Sequence, residues 1–247
     1  MRLPRGKQRD VLTMSERIDR VLVAGASGGT GRELLSQLRE RDYTVVALTS
    51  SSATSETLHV MGADEVVVGD LTSPTDARRA VEGCDGVLCA VGASPRPSIL
   101  WGDLVDGVGV RNLVDAASEA GVSRFVLASA IGVGSSKSGA PWWFRLVLGR
   151  ILEAKHEGER HLEASGLAYT ILRPGRLTDD PATGDVVVGE GGPTVAGSIP
   201  RADLARLMIA ALETPAATNR VFEIVARTKL RGRTRGVVEI DWADASS

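Results

Sequence analysis

From Arg20 to Ala226 the chain alternates short apolar runs with amphipathic stretches, and that rhythm leaves few folds open to it. The runs RVLVAG, YTVVALTS, EVVVGD, DGVLCAVG, RFVLASA, AYTILRPG and VFEIVA are apolar at consecutive positions, as strands covered on both faces are. Helical patterns separate them: GTGRELLSQLRERD, then 53–61, 74–82, 99–120, 141–165 and 201–213. Strands and helices in this order predict an α/β, Rossmann-like doubly wound parallel sheet with helices on both faces. The 247 residues suffice for one such domain, predicted over 19–247, with residues 1–18 a flexible basic tail. Between about 175 and 200 glycine and proline break the rhythm, and this segment is expected to cover the ligand crevice at the carboxyl ends of the strands.

The first strand runs into GASGGTGREL, with Gly25, Gly28 and Gly31 spaced G-x-x-G-x-x-G. Such glycines permit a tight turn, close approach of the backbone to a pyrophosphate, and close packing of helix on strand. The amides at the helix start then favour negative charge. Because the pattern joins a predicted strand to a predicted helix, Gly25, Ser27, Gly28, Gly29, Thr30 and Gly31 are predicted to bind a dinucleotide. The second strand ends in Thr49, Ser50 and Ser51, with no carboxylate before Glu56, so nothing there repels a 2′-phosphate. NADP(H) is therefore expected in preference to NAD(H), with Arg32 either assisting or merely exposed.

The helical stretch ILEAKHEGERHL, 151–162, places Lys155 and Glu159 on the side of its apolar stripe. A lysine there needs something to receive its charge, or it forms an i,i+4 pair with Glu159 on a half-exposed face. Arg173 and Asp203 are expected to form an ion pair or helix cap that braces the crevice.

A net charge of −2 gives no reason to expect nucleic acid. Cys84 and Cys89 match neither a metal site nor a disulfide framework and are expected to be core residues of a protein in a reducing cytoplasm. His59, His156 and His161 lack ligand spacing, so no metal is predicted. No apolar run approaches the roughly 18 to 20 residues that a membrane span needs. After Ala226 five basic residues fall within nine positions, either a solvated surface or a site for an anion or partner.

Together, GASGGTG at 25–31, GDL at 69–71, CAVGA at 89–93, FVLASAIGVG at 125–134, Lys155 with Glu159 ahead of SGLAYTILRPG, and IPRADLARLM at 199–208 resemble the atypical branch of the short-chain dehydrogenase/reductase superfamily. That branch comprises NAD(P)H-binding proteins related to NmrA-like regulators and to flavin and biliverdin reductases. The resemblance implies that Asp70 and Leu71 hold the adenine, the alternative for Asp70 being a turn or helix-cap role. It implies that Ala90, Val91 and Gly92 pass beside the cofactor and that Pro174 and Gly175 line the nicotinamide pocket. Ser129 falls at the superfamily's catalytic serine, and Lys155 at the lysine of its Tyr-x-x-x-Lys pair, reaching the nicotinamide ribose.

Four residues before Lys155 the chain has Ile151 in place of tyrosine. Alcohol oxidation, which needs a base at that point, is disfavoured. Hydride transfer to a small conjugated acceptor such as a flavin, quinone, enone or tetrapyrrole needs a protein acid less, because the developing charge is spread. The expected function is thus NAD(P)H-dependent reduction by a monomer or homodimer; the alternative is a non-catalytic NADP-binding redox sensor or scaffold. Trp142 and Trp143, beside Phe144, offer a flat wall for a ring-shaped substrate, an interface patch, or a core cap.

Overall fold

In the computed structural model, residues 17–92, 105–135 and 142–243 are described, those at 142–148 by their backbone alone. The strands are β1 (Arg20–Ala24), β2 (Thr44–Thr49), β3 (Glu65–Val68), β4 (Gly86–Cys89), β5 (Arg124–Ala128), β6 (Tyr169–Pro174), β7 (Arg176–Thr178), β8 (Val186–Glu190), β9 (Ser198–Pro200) and β10 (Arg220–Ala226). The helices are α1 (Gly29–Leu38), α2 (Ser55–Val60), α3 (Pro74–Val81), α4 (Val110–Ala120), α5 (Trp142–Ala164) and α6 (Arg201–Glu213).

Eight strands form one sheet in the order β3-β2-β1-β4-β5-β6-β10-β8, parallel except for β8, which runs antiparallel to β10. The fold is the Rossmann-like doubly wound sheet that the alternation predicts. Side chains alternate across the pleat: Val21 and Val23 enter one core with Leu34, Leu35 and Leu38 of α1 and Leu204, Leu207 and Met208 of α6. Leu22 and Ala24 enter the other with Ala77 and Val81 of α3, Leu113 and Val114 of α4, and Leu162 of α5. Helices cover both faces, so apolar residues at successive positions of β1, β2, β4 and β5 are buried, whereas Val68 of the edge strand β3 is exposed.

Local chemistry sets the helix ends. Ser73 caps α3 by accepting from the Asp76 amide, Pro74 begins the helix, and α4 ends on Gly121 at φ 72°. Where the predicted 99–120 helix was expected to be continuous, the described part begins with a wide turn of π-helix, Val105–Gly109, before α4 proper; 99–104 lie outside the described residues.

Two segments differ from expectation. Ile18 is buried in the first core, and Asp85 accepts the backbone N–H groups of Asp19 and Arg20, so the chain is anchored before residue 19; residues 1–16 lie outside the described set. The 175–200 segment is more regular than its composition suggests, since β8 extends the main sheet and β7 pairs with β9. The chain after Ala226 is exposed through its basic stretch and then returns, bridging Val237 to Gly189 and setting Trp242 edge-on against Phe222 at 5.8 Å.

Candidate functional site

Sheet order reverses between β1 and β4, where a doubly wound fold opens its ligand crevice at the carboxyl ends of the strands. The glycine turn sits there. Gly25 takes φ 81°, and a Cβ on it would stand 2.8 Å from the carbonyl oxygen of Ala90, just past the end of β4. A Cβ on Gly31 would strike the Gly25 carbonyl and Ala26, so helix and strand close on each other only without one. Gly28 donates to the Gly25 carbonyl at 3.0 Å.

α1 starts with no side-chain cap and no acidic residue in its first turn, while Gly28 and Gly29 are exposed. The amides of Gly29, Thr30 and Gly31, left without a side-chain cap beside a cradle that a Cβ would fill, fit the diphosphate of a nicotinamide dinucleotide. Arg32 folds back to donate from Nε to the Ser27 carbonyl at 3.1 Å, while Thr30 is buried.

At the end of β2, Thr49 is buried, with its hydroxyl 3.0 Å from that of Thr54 and accepting the Ser51 amide. Its hydroxyl is committed to the turn, so the exposed Ser50 and Ser51 are the residues of the expected trio that face outward. Asp70 accepts the Thr72 amide at 2.9 Å, the turn role that its sequence position allows, and is otherwise exposed. Leu71 packs its side chain into the second core. Val91 is buried beside the partly exposed Ala90, and a Cβ on Gly92 would meet nothing within 4 Å among the described residues.

Ser129 follows β5 directly, its amide bonded to the Leu172 carbonyl at 2.8 Å. Its hydroxyl is buried without a hydrogen-bond partner among the described residues, an arrangement that a bound ligand would relieve. Pro174 closes β6, and the Gly175 amide donates to Ile224 at 2.9 Å; a Cβ on Gly175 would lie 2.5 Å from the Gly197 carbonyl oxygen, so the covering segment rests on it. Trp142 and Trp143 fall in the first turn of α5, their side chains outside the described residues.

Lys155 meets a residue that the sequence reading did not single out. Its Nζ lies 2.6 Å from Oδ1 of Asp106, whose side chain is 0% exposed. Asp106 belongs to the wide turn ahead of α4, and two glycines let that turn approach α5. A Cβ on Gly158 would be 3.0 Å from the Asp106 carbonyl oxygen, and one on Gly107 would be 3.3 Å from Ala154. The pair stands close enough to Cys89 at the end of β4 to act on its thiol. Burial pushes that thiol up to about 12; Lys155 works against the shift and Asp106 with it.

Glu159 does not pair with Lys155. Its buried carboxylate takes both arms of Arg173, Nε at 2.9 Å and Nη2 at 2.7 Å, while Nη1 of Arg173 donates to Ser135 at 2.8 Å. Burial opposes the Arg173 charge, but Glu159 outweighs it and raises the pKa. The expected partnership of Arg173 with Asp203 is therefore replaced. Asp203 instead accepts from Thr183 and Gly184 amides at 2.8 and 2.9 Å, pinning the covering segment to α6. Both predicted braces exist with other partners, which lie too far off in sequence for spacing to reveal.

Tyr43 and Tyr169 stand at the starts of β2 and β6, opposite the crevice, and Ile151 occupies the helix position one turn before Lys155.

Three similarities bear on this geometry. Over 222 residues the chain is 36% identical to an uncharacterised chloroplastic protein of Arabidopsis thaliana, covering 87% of this chain and 79% of that one. It is 31% identical over 247 residues to sanguinarine reductase of Eschscholzia californica, covering 83% and 88%. The solved structure of ChuY, an anaerobillin reductase of Escherichia coli O157:H7, superposes with a TM-score of 0.75 at 25% identity, covering 86% of this chain and 100% of that one. Residues 25–215 match the family described as NAD(P)H-binding, and the chain belongs to that family.

Proposed function

We propose that the protein is an NADP(H)-dependent reductase that passes hydride to a small conjugated acceptor such as a flavin, quinone, enone or tetrapyrrole. The reductase names of two relatives support oxidoreductase chemistry. The observation that carries the reading is Lys155, whose ammonium is kept on the inner side of α5 by a buried carboxylate beside the end of β4. Burying two charges costs several kcal/mol each, and a chain needing only helix packing would use apolar residues there.

In this reading the amides of Gly29, Thr30 and Gly31 hold the diphosphate, and Ser50 and Ser51 face the adenosine ribose. Asp106 fixes the ammonium of Lys155 so that it donates to the nicotinamide ribose. When bound, the reduced nicotinamide supplies the hydride. The acceptor also gains one proton, from water or through the Ser129 hydroxyl, whose donor capacity no described residue uses. The free buried thiols of Cys84 and Cys89 support a reducing compartment, for which we propose the cytoplasm.

Ile151 favours a second reading, a nucleotide-binding redox sensor without turnover, because it offers no acid or base where related enzymes carry tyrosine. NADPH oxidation followed with flavin, quinone and enone acceptors, for wild type and Lys155→Ala, separates the two. Turnover with at least one conjugated acceptor, lost in the variant, supports the reductase. Tight NADPH binding with no turnover on any of them supports the sensor.

A further inference from the structure

The helix α6 begins beside the glycine turn, and its first residue is an arginine. A Cβ on Gly29 would fall 2.6 Å from Nε and 2.7 Å from Cδ of Arg201, so the side chain crosses directly over the first residue of α1. Any residue but glycine at 29 would push it away. Nη1 of Arg201 is held at 2.6 Å by Asp179, itself 89% exposed, and Arg201 retains 27% exposure. The Asp179 contact engages one nitrogen of the guanidinium. Nε lies instead against the glycine whose amide opens α1.

We propose that Arg201 is a ligand of the dinucleotide's pyrophosphate, the cationic partner of the amides at 29–31. The inference rests on the cofactor site proposed above and adds a residue to it from 170 positions downstream. Two donor types then converge on one anion: uncapped backbone amides, which are fixed, and a guanidinium, whose planar fork suits phosphate oxygens. Asp179 orients that fork from the segment covering the crevice. Because the pyrophosphate is common to both coenzymes, Arg201 contributes affinity without choosing between NADPH and NADH.

The test is a set of binding titrations of NADPH, NADH and ADP-ribose with wild type, R201Q and R201K, alongside melting of each protein without nucleotide. R201Q is expected to weaken all three ligands by about tenfold or more, the size of one lost charge-assisted hydrogen bond. R201K, a point charge without the fork, is expected to fall between R201Q and wild type, and melting temperature should change little. Affinities of R201Q within about twofold of wild type for all three would overturn the proposal, twofold being below the loss of one such bond. A loss confined to NADPH would also overturn it, by placing the guanidinium at the 2′-phosphate. Should R201Q fail to fold, R201K binding all three as tightly as wild type would overturn it. Absence of binding by wild type itself would instead count against the cofactor site.

Discussion

Lys155 Nζ and Asp106 Oδ1 are 2.6 Å apart, on two helical segments brought together by Gly107 and Gly158. Each charge is tolerable because of the other. Removing the lysine alone, as in Lys155→Met, takes the cation away from a buried carboxylate and is expected to cost about 3–5 kcal/mol in chemical denaturation. The double variant Lys155→Met with Asp106→Leu should recover most of that loss while remaining inactive. A double variant no more stable than Lys155→Met would mean that the two residues are not coupled.

The glycines of the turn should separate folding from binding. A Cβ on Gly28 meets only the Gly25 carbonyl oxygen, at 3.2 Å, whereas one on Gly31 collides with the backbone of Gly25 and Ala26. Gly28→Ala is therefore expected to lower melting by a few degrees at most and to abolish detectable NADPH binding. Gly31→Ala should lose both stability and binding. Comparison of melting curves with fluorescence titrations distinguishes the two variants.

The Glu159–Arg173 pair holds Ser135, and with it the loop that follows Ser129. Glu159→Gln leaves the guanidinium buried beside a neutral amide and should cost about 3 kcal/mol or more. Ser135→Ala, removing one hydrogen bond at an exposed residue, should cost about 1 kcal/mol or less. Equal losses from the two substitutions would contradict this ranking.

Cys84 and Cys89 give a prediction with a sign. Burial is the main cause in both, pushing the thiols from 9.0 up to about 11 and about 12. The unfolded chain therefore releases these protons first, and the stability they contribute is present below pH 9 and lost as pH rises through about 11 to 12. Native protein should resist thiol alkylation at neutral pH and react only on unfolding. Rapid labelling of either cysteine in the native state would contradict their placement.

Sequence patterns of short range carried over well into the structure. Consecutive apolar residues in β1, β2, β4, β5 and β6 reveal strands buried on both faces, and the strand-to-helix context identifies the glycine turn. Lys155 is conspicuous because it interrupts an apolar stripe. Its partner is not: Asp106 stands in LVDGVGV, where helical periodicity gives no sign that a carboxylate turns inward, and only the glycines at 107 and 158 hint at a close approach. Arg173 and Asp203 could be recognised as braces but not paired, since their partners are fixed by sheet order rather than by spacing, and Glu159 pairs with Arg173 instead of Lys155. β7 and β9 have three residues each and β8 lies at a sheet edge, so glycine and proline around them mask the strand pattern.

The central claim is that uncapped amides at 29–31 and the charge pair of Lys155 and Asp106 form one nicotinamide dinucleotide site. Equilibrium titration of the protein with NADPH, followed by nicotinamide fluorescence, tests it most directly. Saturable binding at one site per chain, abolished by Gly28→Ala and weakened by Lys155→Met, is the predicted result. No fluorescence change with wild type, or binding that neither substitution alters, would contradict it.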